Sequence, residues 1–263
     1  MNPAAATLAP PVPDPALRLE AARALAGAGL ALLLAAGGIG LWGGLGLDYP
    51  LKALLAYTLG GALVWRGLAL GGHPHHRFGA ANRVTLGRLA GMALVAALLG
   101  EAVPAAPPSA DPFGGWALIA LATAVALLDA LDGALARRQG LASPFGARFD
   151  METDAAFLLA LSALVWQAGQ AGPWVLASGL MRYAFVAAAA CWPWLGGPLP
   201  PSVRRQAVCV AQITALIVCL GPSVPAPLAS ALAAAALLLL SASFGTDIVH
   251  LARLRAADPE TRA

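Results

Sequence analysis

Charge is what this sequence has least of. Of its 263 residues only 11% are Asp, Glu, Lys or Arg, against roughly 25% in an ordinary soluble domain. A soluble fold of this size needs a far more polar surface, so lipid is the expected solvent for most of it. Basic excess is small too. A net charge of +3 excludes the strongly basic profile of a nucleic-acid-binding protein. Cysteine is scarce and unpatterned. Cys191, Cys209 and Cys219 are odd in number, lack metal-ligand spacing and fall in apolar segments, which excludes a disulfide framework and predicts small buried side chains. The period-two alternation of a membrane barrel is also missing.

What remains is apolar. Hydrophobic residues make up 59% of the chain, and its mean hydropathy is +0.74. A helix needs about 20 apolar residues to cross the hydrocarbon core, within a range of about 17–25. Eight segments qualify or nearly so, at 24–47, 51–70, 84–99, 113–136, 150–167, 173–192, 206–220 and 226–251. Helices are expected because lipid cannot satisfy open backbone groups. Residues 1–20, rich in Ala and Pro, read as a disordered tail. The apolar stretch after them is too long for the core of a cleavable signal peptide.

The basic residues predict an orientation. With a cytoplasmic tail and eight alternating spans, Arg18, Arg23, Arg77, Arg83, Arg137, Arg138, Arg148, Arg204, Arg205, Arg253, Arg255 and Arg262 all fall on the cytoplasmic side, as the positive-inside rule requires. Lys52 alone lies outside. Arg66 and Arg88 sit in spans near their cytoplasmic ends, where a long side chain snorkels. Arg182 is placed mid-span. Trp42, Tyr49, Trp116 and Trp174 lie near the outer ends as interfacial anchors.

Carboxylates inside spans are costly and usually mark function. Asp129, Asp132, Asp150, Glu152 and Asp154 cluster at the cytoplasmic ends of two consecutive spans. Asp129 and Asp132 are three apart, and Asp150 and Asp154 four apart, so each pair shares a helix face, while Glu152 points elsewhere. A turn between the two helices would bring the pairs together. Four anions so close repel one another, and divalent cations between them relieve this. All-oxygen ligation favours Mg²⁺ or Mn²⁺ over zinc. Two such ions form a common clamp for phosphoryl transfer.

The segment DALDGALARRQGLASPFGARFDMETD, residues 129–154, has the form D-x2-D-G-x2-A-R-x8-G-x3-D-x3-D. It resembles the signature of the CDP-alcohol phosphatidyltransferase family, with no departure at any specified position. The resemblance implies an all-α, polytopic membrane protein whose six-helix core is preceded here by two extra transmembrane helices. The corresponding division is a tail at 1–20, two added helices within 21–72, a catalytic core at 73–253 and a second cytoplasmic tail at 254–263. It implies transfer of a phosphatidyl or related phospho-alcohol group from a CDP-linked donor, most readily CDP-diacylglycerol, to an alcohol acceptor, with release of CMP, in phospholipid biosynthesis. Asp129, Asp132, Asp150 and Asp154 would hold two Mg²⁺ or Mn²⁺ ions, with Asp154 also the general base. Asp132, Gly133, Ala136, Arg137 and Gly146 would line the nucleotide site. Small side chains would let the nucleotide approach the helix backbone, and Arg137 would donate to a phosphate or the cytosine carbonyl. A homodimer in the inner (plasma) membrane of a bacterium, its active site facing the cytoplasm, is the further implication.

Weaker signals surround this motif. The run ANRVTLGR, with Asn82, Thr85 and Arg88, resembles the family's opening segment except that Ala81 stands where Pro is usual. It is expected either to close one side of the nucleotide pocket or to start an interfacial helix. Arg182, Arg204 and Arg205 are candidates for holding a phosphate on the acceptor. Alternatively Arg182 pairs with Asp247 or snorkels. Two other classes compete. A membrane prenyltransferase also uses Asp-rich helices and magnesium, but carries two separated motifs where this chain has one. An ion-coupled transporter needs a polar path to the outer face, and the outer halves of these spans hold almost no ionisable groups.

Overall fold

The structure, a computed structural model, describes residues 15–70, 75–101, 114–139 and 143–257, and only the backbone of 130–139. All regular structure among them is helical: α1 (Pro15–Gly43), α2 (Asp48–Ala69), α3 (Ala80–Ala96), α4 (Gly114–Gln139), α5 (Pro144–Gln167), α6 (Ala177–Cys191), α7 (Val203–Cys219) and α8 (Ala226–Ala257). Short 3₁₀ turns, each opened by proline, precede and follow α6, at Pro173–Leu176 and Pro193–Gly196.

Among the described residues, three stretches are long and apolar enough to cross a membrane by length and composition alone: Pro15–Gly43, Pro173–Cys191 and Ala226–Ala256. At 1.5 Å per residue the 29-residue α1 rises about 43 Å, well beyond the roughly 30 Å hydrocarbon core. Leu30, Leu34, Leu41, Leu59, Leu63 and Leu238 are all exposed, an outer surface suited to lipid. The other helices are shorter or more polar. α3 and α7 have 17 residues each, and the first half of α5 carries Arg148, Asp150, Glu152 and Asp154. The chain is an integral membrane protein, and the polarity that sets α3 and α5 apart is concentrated at the site described below.

Several boundaries differ from expectation. α1 begins at Pro15, so residues 15–20, expected in the tail, are helical. Leu17 is buried and Glu20 is tied to the start of α3. Residues 1–14 and 258–263 lie outside the described residues, while 254–257, expected in the second tail, continue α8. α4 runs to Gln139 and α5 begins at Pro144. Residues 137–139 and 144–149, expected in the connection, are therefore helical. Cys219 is buried, with its thiol on the Ala229 carbonyl, but Cys191 is exposed at the end of α6, contrary to the burial expected for all three.

The chain forms two compact units, residues 1–97 with 124–154, and residues 98–123 with 155–263. In the first, α1, α2 and α3 pack pairwise. Small residues let the helices approach: Gly60 meets Leu89, Gly67 meets the Phe145 ring and Gly91 meets Val125. Two tyrosines from α2 bury their rings and satisfy their hydroxyls on neighbouring backbone, Tyr57 on Leu25 O at 2.8 Å and Tyr49 on Leu94 O at 3.1 Å. In the second, α7 and α8 form the main pair. Gly179 packs against the backbone of Leu159, Gln212 donates to Ser178 at 3.0 Å, and Arg255 lies over the Trp194 ring at 5.7 Å.

Candidate active site

The first unit contains the carboxylate cluster. α4 contributes Asp129 and α5 contributes Asp150 and Asp154. One carboxylate oxygen from each lies within 4.8 Å of the other two. Asp150 and Asp154, four apart on α5, thus lie on one side of it, as their spacing predicts. Glu152, half-buried and two residues from each α5 aspartate, is outside the group. Asp132, Gly133, Ala136 and Arg137 occupy the last turns of α4. Their side chains lie outside the described residues.

The unexpected member is Arg88. It does not snorkel, contrary to the interfacial reading of its position. Its side chain is only 2% exposed, and its guanidinium spans the whole cluster. Nη1 donates to Asp150 Oδ1, and Nη2 donates to Asp154 Oδ1 and lies 2.9 Å from Asp129 Oδ1. A buried guanidinium is costly unless paired and hydrogen-bonded, and three carboxylates supply the pairing. Sequence reasoning missed this contact because the partners are 41 to 66 residues away along the chain. The one available signal was that Arg88 shares its segment with other polar residues in an otherwise apolar span.

The chain reaches Arg88 through a tightly specified start to α3. Gly79 takes φ +83° immediately before the helix, a backbone conformation reserved in practice for glycine. Asn82 is buried and donates through Nδ2 to Phe78 O at 2.5 Å, and Thr85 donates to Ala81 O at 3.1 Å. Asn82 Oδ1 faces Gly146 on α5, where an added Cβ would lie 3.1 Å from that oxygen and 3.3 Å from Ser143 Oγ. Ser143 in turn accepts from the Gly146 N–H at 3.0 Å and so caps α5. Gly146 therefore sets how closely α3 approaches α5, and with it how Arg88 meets Asp150 and Asp154.

α1 and α2 brace this opening segment. Glu20 of α1 accepts from the Phe78 N–H at 3.1 Å and from Arg83 Nη2 at 2.6 Å. Phe78 and Phe145 stack in a tilted pair with centroids 6.4 Å apart, and Phe149 continues the row. α1 and α2 thus hold the start of α3 and the start of α5 from one side.

The second unit contains the other basic candidates. Arg204 donates to Ser243 O at 2.6 Å and to Asp247 Oδ1 at 2.5 Å. Arg205 Nη1 lies 3.7 Å from the same Asp247 oxygen and its Nη2 donates to Pro200 O. Asp247, named above as a possible partner of Arg182, pairs with the α7 arginines. Arg182 is half-buried on α6.

The donor set of the cluster is entirely carboxylate oxygen, which suits a hard divalent cation. Oxygens about 2.1 Å from one such ion are at most about 4.2 Å apart, so three oxygens within 4.8 Å of one another would have to draw together around it. A family model described as CDP-alcohol phosphatidyltransferase matches residues 78–246. No curated protein and no solved structure matches the chain. The match opens at Phe78, where the α1 brace attaches. It contains Arg88 and the complete aspartate motif, and α1 and α2 fall outside it. Spanning well over half of the 263 residues and every charged group of the cluster, it shows that the chain belongs to the CDP-alcohol phosphatidyltransferase family.

Proposed function

We propose that this transferase moves a phosphatidyl or closely related group from CDP-diacylglycerol to an alcohol, releasing CMP, at the cluster of Asp129, Asp132, Asp150 and Asp154. The observation that carries this reading is the convergence of Asp129, Asp150 and Asp154 from two helices within 4.8 Å, inside the family's motif. Two Mg²⁺ or Mn²⁺ ions, when bound, would neutralise the donor's diphosphate and polarise the phosphorus under attack. Asp129, Asp132, Asp150 and Asp154 would hold them. Asp154 takes the proton of the acceptor hydroxyl on its carboxylate as that oxygen bonds to phosphorus and the pyrophosphate P–O bond breaks. Asp132, Gly133, Ala136, Arg137 and Gly146 would line the nucleotide side. Gly146 would do so while seated against Asn82, which adds the opening of α3 to that wall.

Arg182, Arg204 and Arg205 are the candidates for a phosphorylated acceptor. Arg204 and Arg205 would share their charge between that phosphate and Asp247. The further reading is of eight crossings in the inner membrane of a bacterium, the six from α3 onward forming the catalytic core, with the cluster on the cytoplasmic side and two copies paired. The asymmetry of the arginines supports this orientation.

The test is CMP release. Purified protein in detergent with Mn²⁺ and CDP-diacylglycerol is offered glycerol phosphate, inositol phosphate, serine and a lipid alcohol in turn, and CMP and lipid product are followed by mass spectrometry. One acceptor is expected to give equimolar CMP and phospholipid, and activity is lost in Asp154→Asn. Transfer of a prenyl group, ion uptake by vesicles with no CMP, or full activity in a folded Asp154→Asn preparation would each defeat the proposal.

A further inference from the structure

Arg88 carries a permanent charge into the centre of the candidate metal site. Among the described residues, the carboxylates of Asp129, Asp150 and Asp154 with one guanidinium leave a formal charge of two negative, which one divalent cation balances. Without Arg88 the same three groups would repel across the gap between α4 and α5, most strongly at Asp154, the least exposed of them. A carboxylate has about four lone-pair sites, so accepting from Arg88 does not exhaust its capacity to ligate an ion.

We propose that Arg88 is a positioning residue of the metal site and acts as its built-in counter-ion. It holds Asp129, Asp150 and Asp154 together when no divalent cation is bound, and its charge opposes the incoming ion and lowers the site's affinity for it. This rests on reading the cluster as a metal centre. Two consequences oppose each other in sign. Removing the charge makes the empty site less stable, and makes ion binding tighter. A residue that merely packed α3 against α5 would, when replaced, loosen the ligands and weaken binding.

The experiment measures Mn²⁺ binding directly, by the electron paramagnetic resonance signal of free Mn²⁺, on the full chain in detergent. Thermal unfolding is recorded in parallel with EDTA or with excess Mn²⁺. Arg88→Met, which keeps length and loses charge, is expected to bind Mn²⁺ at least tenfold more tightly than the parent. Its midpoint is expected to fall in EDTA and to recover in Mn²⁺ by more than the parent gains. Arg88→Lys, which keeps the charge, is expected to bind within about threefold of the parent, and it carries the test if Arg88→Met does not fold. Weaker or unchanged binding in Arg88→Met, or a tenfold loss in Arg88→Lys, overturns the proposal while leaving the metal reading intact. No measurable Mn²⁺ binding by the parent brings down both.

Discussion

Replacing Gly146 with alanine tests whether the α3–α5 contact controls the site. In a helix, Gly→Ala ordinarily stabilises by about 0.5–1 kcal/mol, because alanine has less backbone freedom to lose. Here the new Cβ would lie 3.1 Å from Asn82 Oδ1 and 3.3 Å from Ser143 Oγ. Neither neighbour yields easily. Asn82 is buried and held by its bond to Phe78 O at 2.5 Å, and Ser143 caps the Gly146 N–H at 3.0 Å. Overpacking at such a position costs about 1–3 kcal/mol. The net expectation is a loss of about 1 kcal/mol, or about 2–4 °C in the thermal midpoint. Activity is expected to fall further, because relief requires α3 and α5 to part by a few tenths of an ångström, and Arg88, Asp150 and Asp154 move with them. Misplacement of about 1 Å costs about 10²-fold in rate, so a loss of roughly tenfold in CMP release is expected. Thermal unfolding in detergent beside initial rates against CDP-diacylglycerol decides it. A higher midpoint with unchanged rate would refute the close-packing argument. An unchanged midpoint with a raised KM for the donor alone would mean that the Cβ meets nucleotide and not Asn82.

Other expectations follow from the same geometry. Asp129→Asn removes one of three converging carboxylates, and is expected to lower CMP release at least about 10²-fold and to weaken Mn²⁺ binding; a folded variant with parental Mn²⁺ affinity would remove Asp129 from the ligand set. Glu20→Ala deletes the acceptor for Phe78 N–H and Arg83. The ion pair is partly exposed and contributes little, so the expected loss of about 1–2 kcal/mol comes mainly from the charge-assisted bond to the backbone. Glu20→Gln, which keeps an acceptor oxygen, should retain most of it, and equal midpoints for the two variants would show that the brace is immaterial. Gly79→Ala forces a side chain onto φ +83° at a cost of about 1–3 kcal/mol, read as a fall in midpoint in parallel with activity. A stabilised Gly79→Ala protein would mean that α3 can start differently.

Much of the candidate site was legible because helical periodicity is local. Residues three or four apart share a face whatever the rest of the chain does, so Asp150 with Asp154, and the exclusion of Glu152, followed from spacing. The lipid setting was legible from the scarcity of charge alone. Helix ends were less so. Residues 137–139 and 144–149, which read as part of a connection, continue α4 and α5, and an apolar run in lipid has no sharp sequence edge. Arg88 was read as a snorkelling cation because the burial of a long side chain is not local information.

By itself the sequence determined that the chain is helical, that it lives in a membrane, which family it resembles, and which aspartates share a face. Only the tertiary structure decided that Arg88 lies among those aspartates, that Asn82 fills the space beside Gly146, and that Glu20 ties the added first helix to the start of α3. The physical reason is range. Periodicity and hydropathy are set by neighbours a few residues apart, whereas the partner of a buried charge is chosen by whichever helix the packing brings alongside.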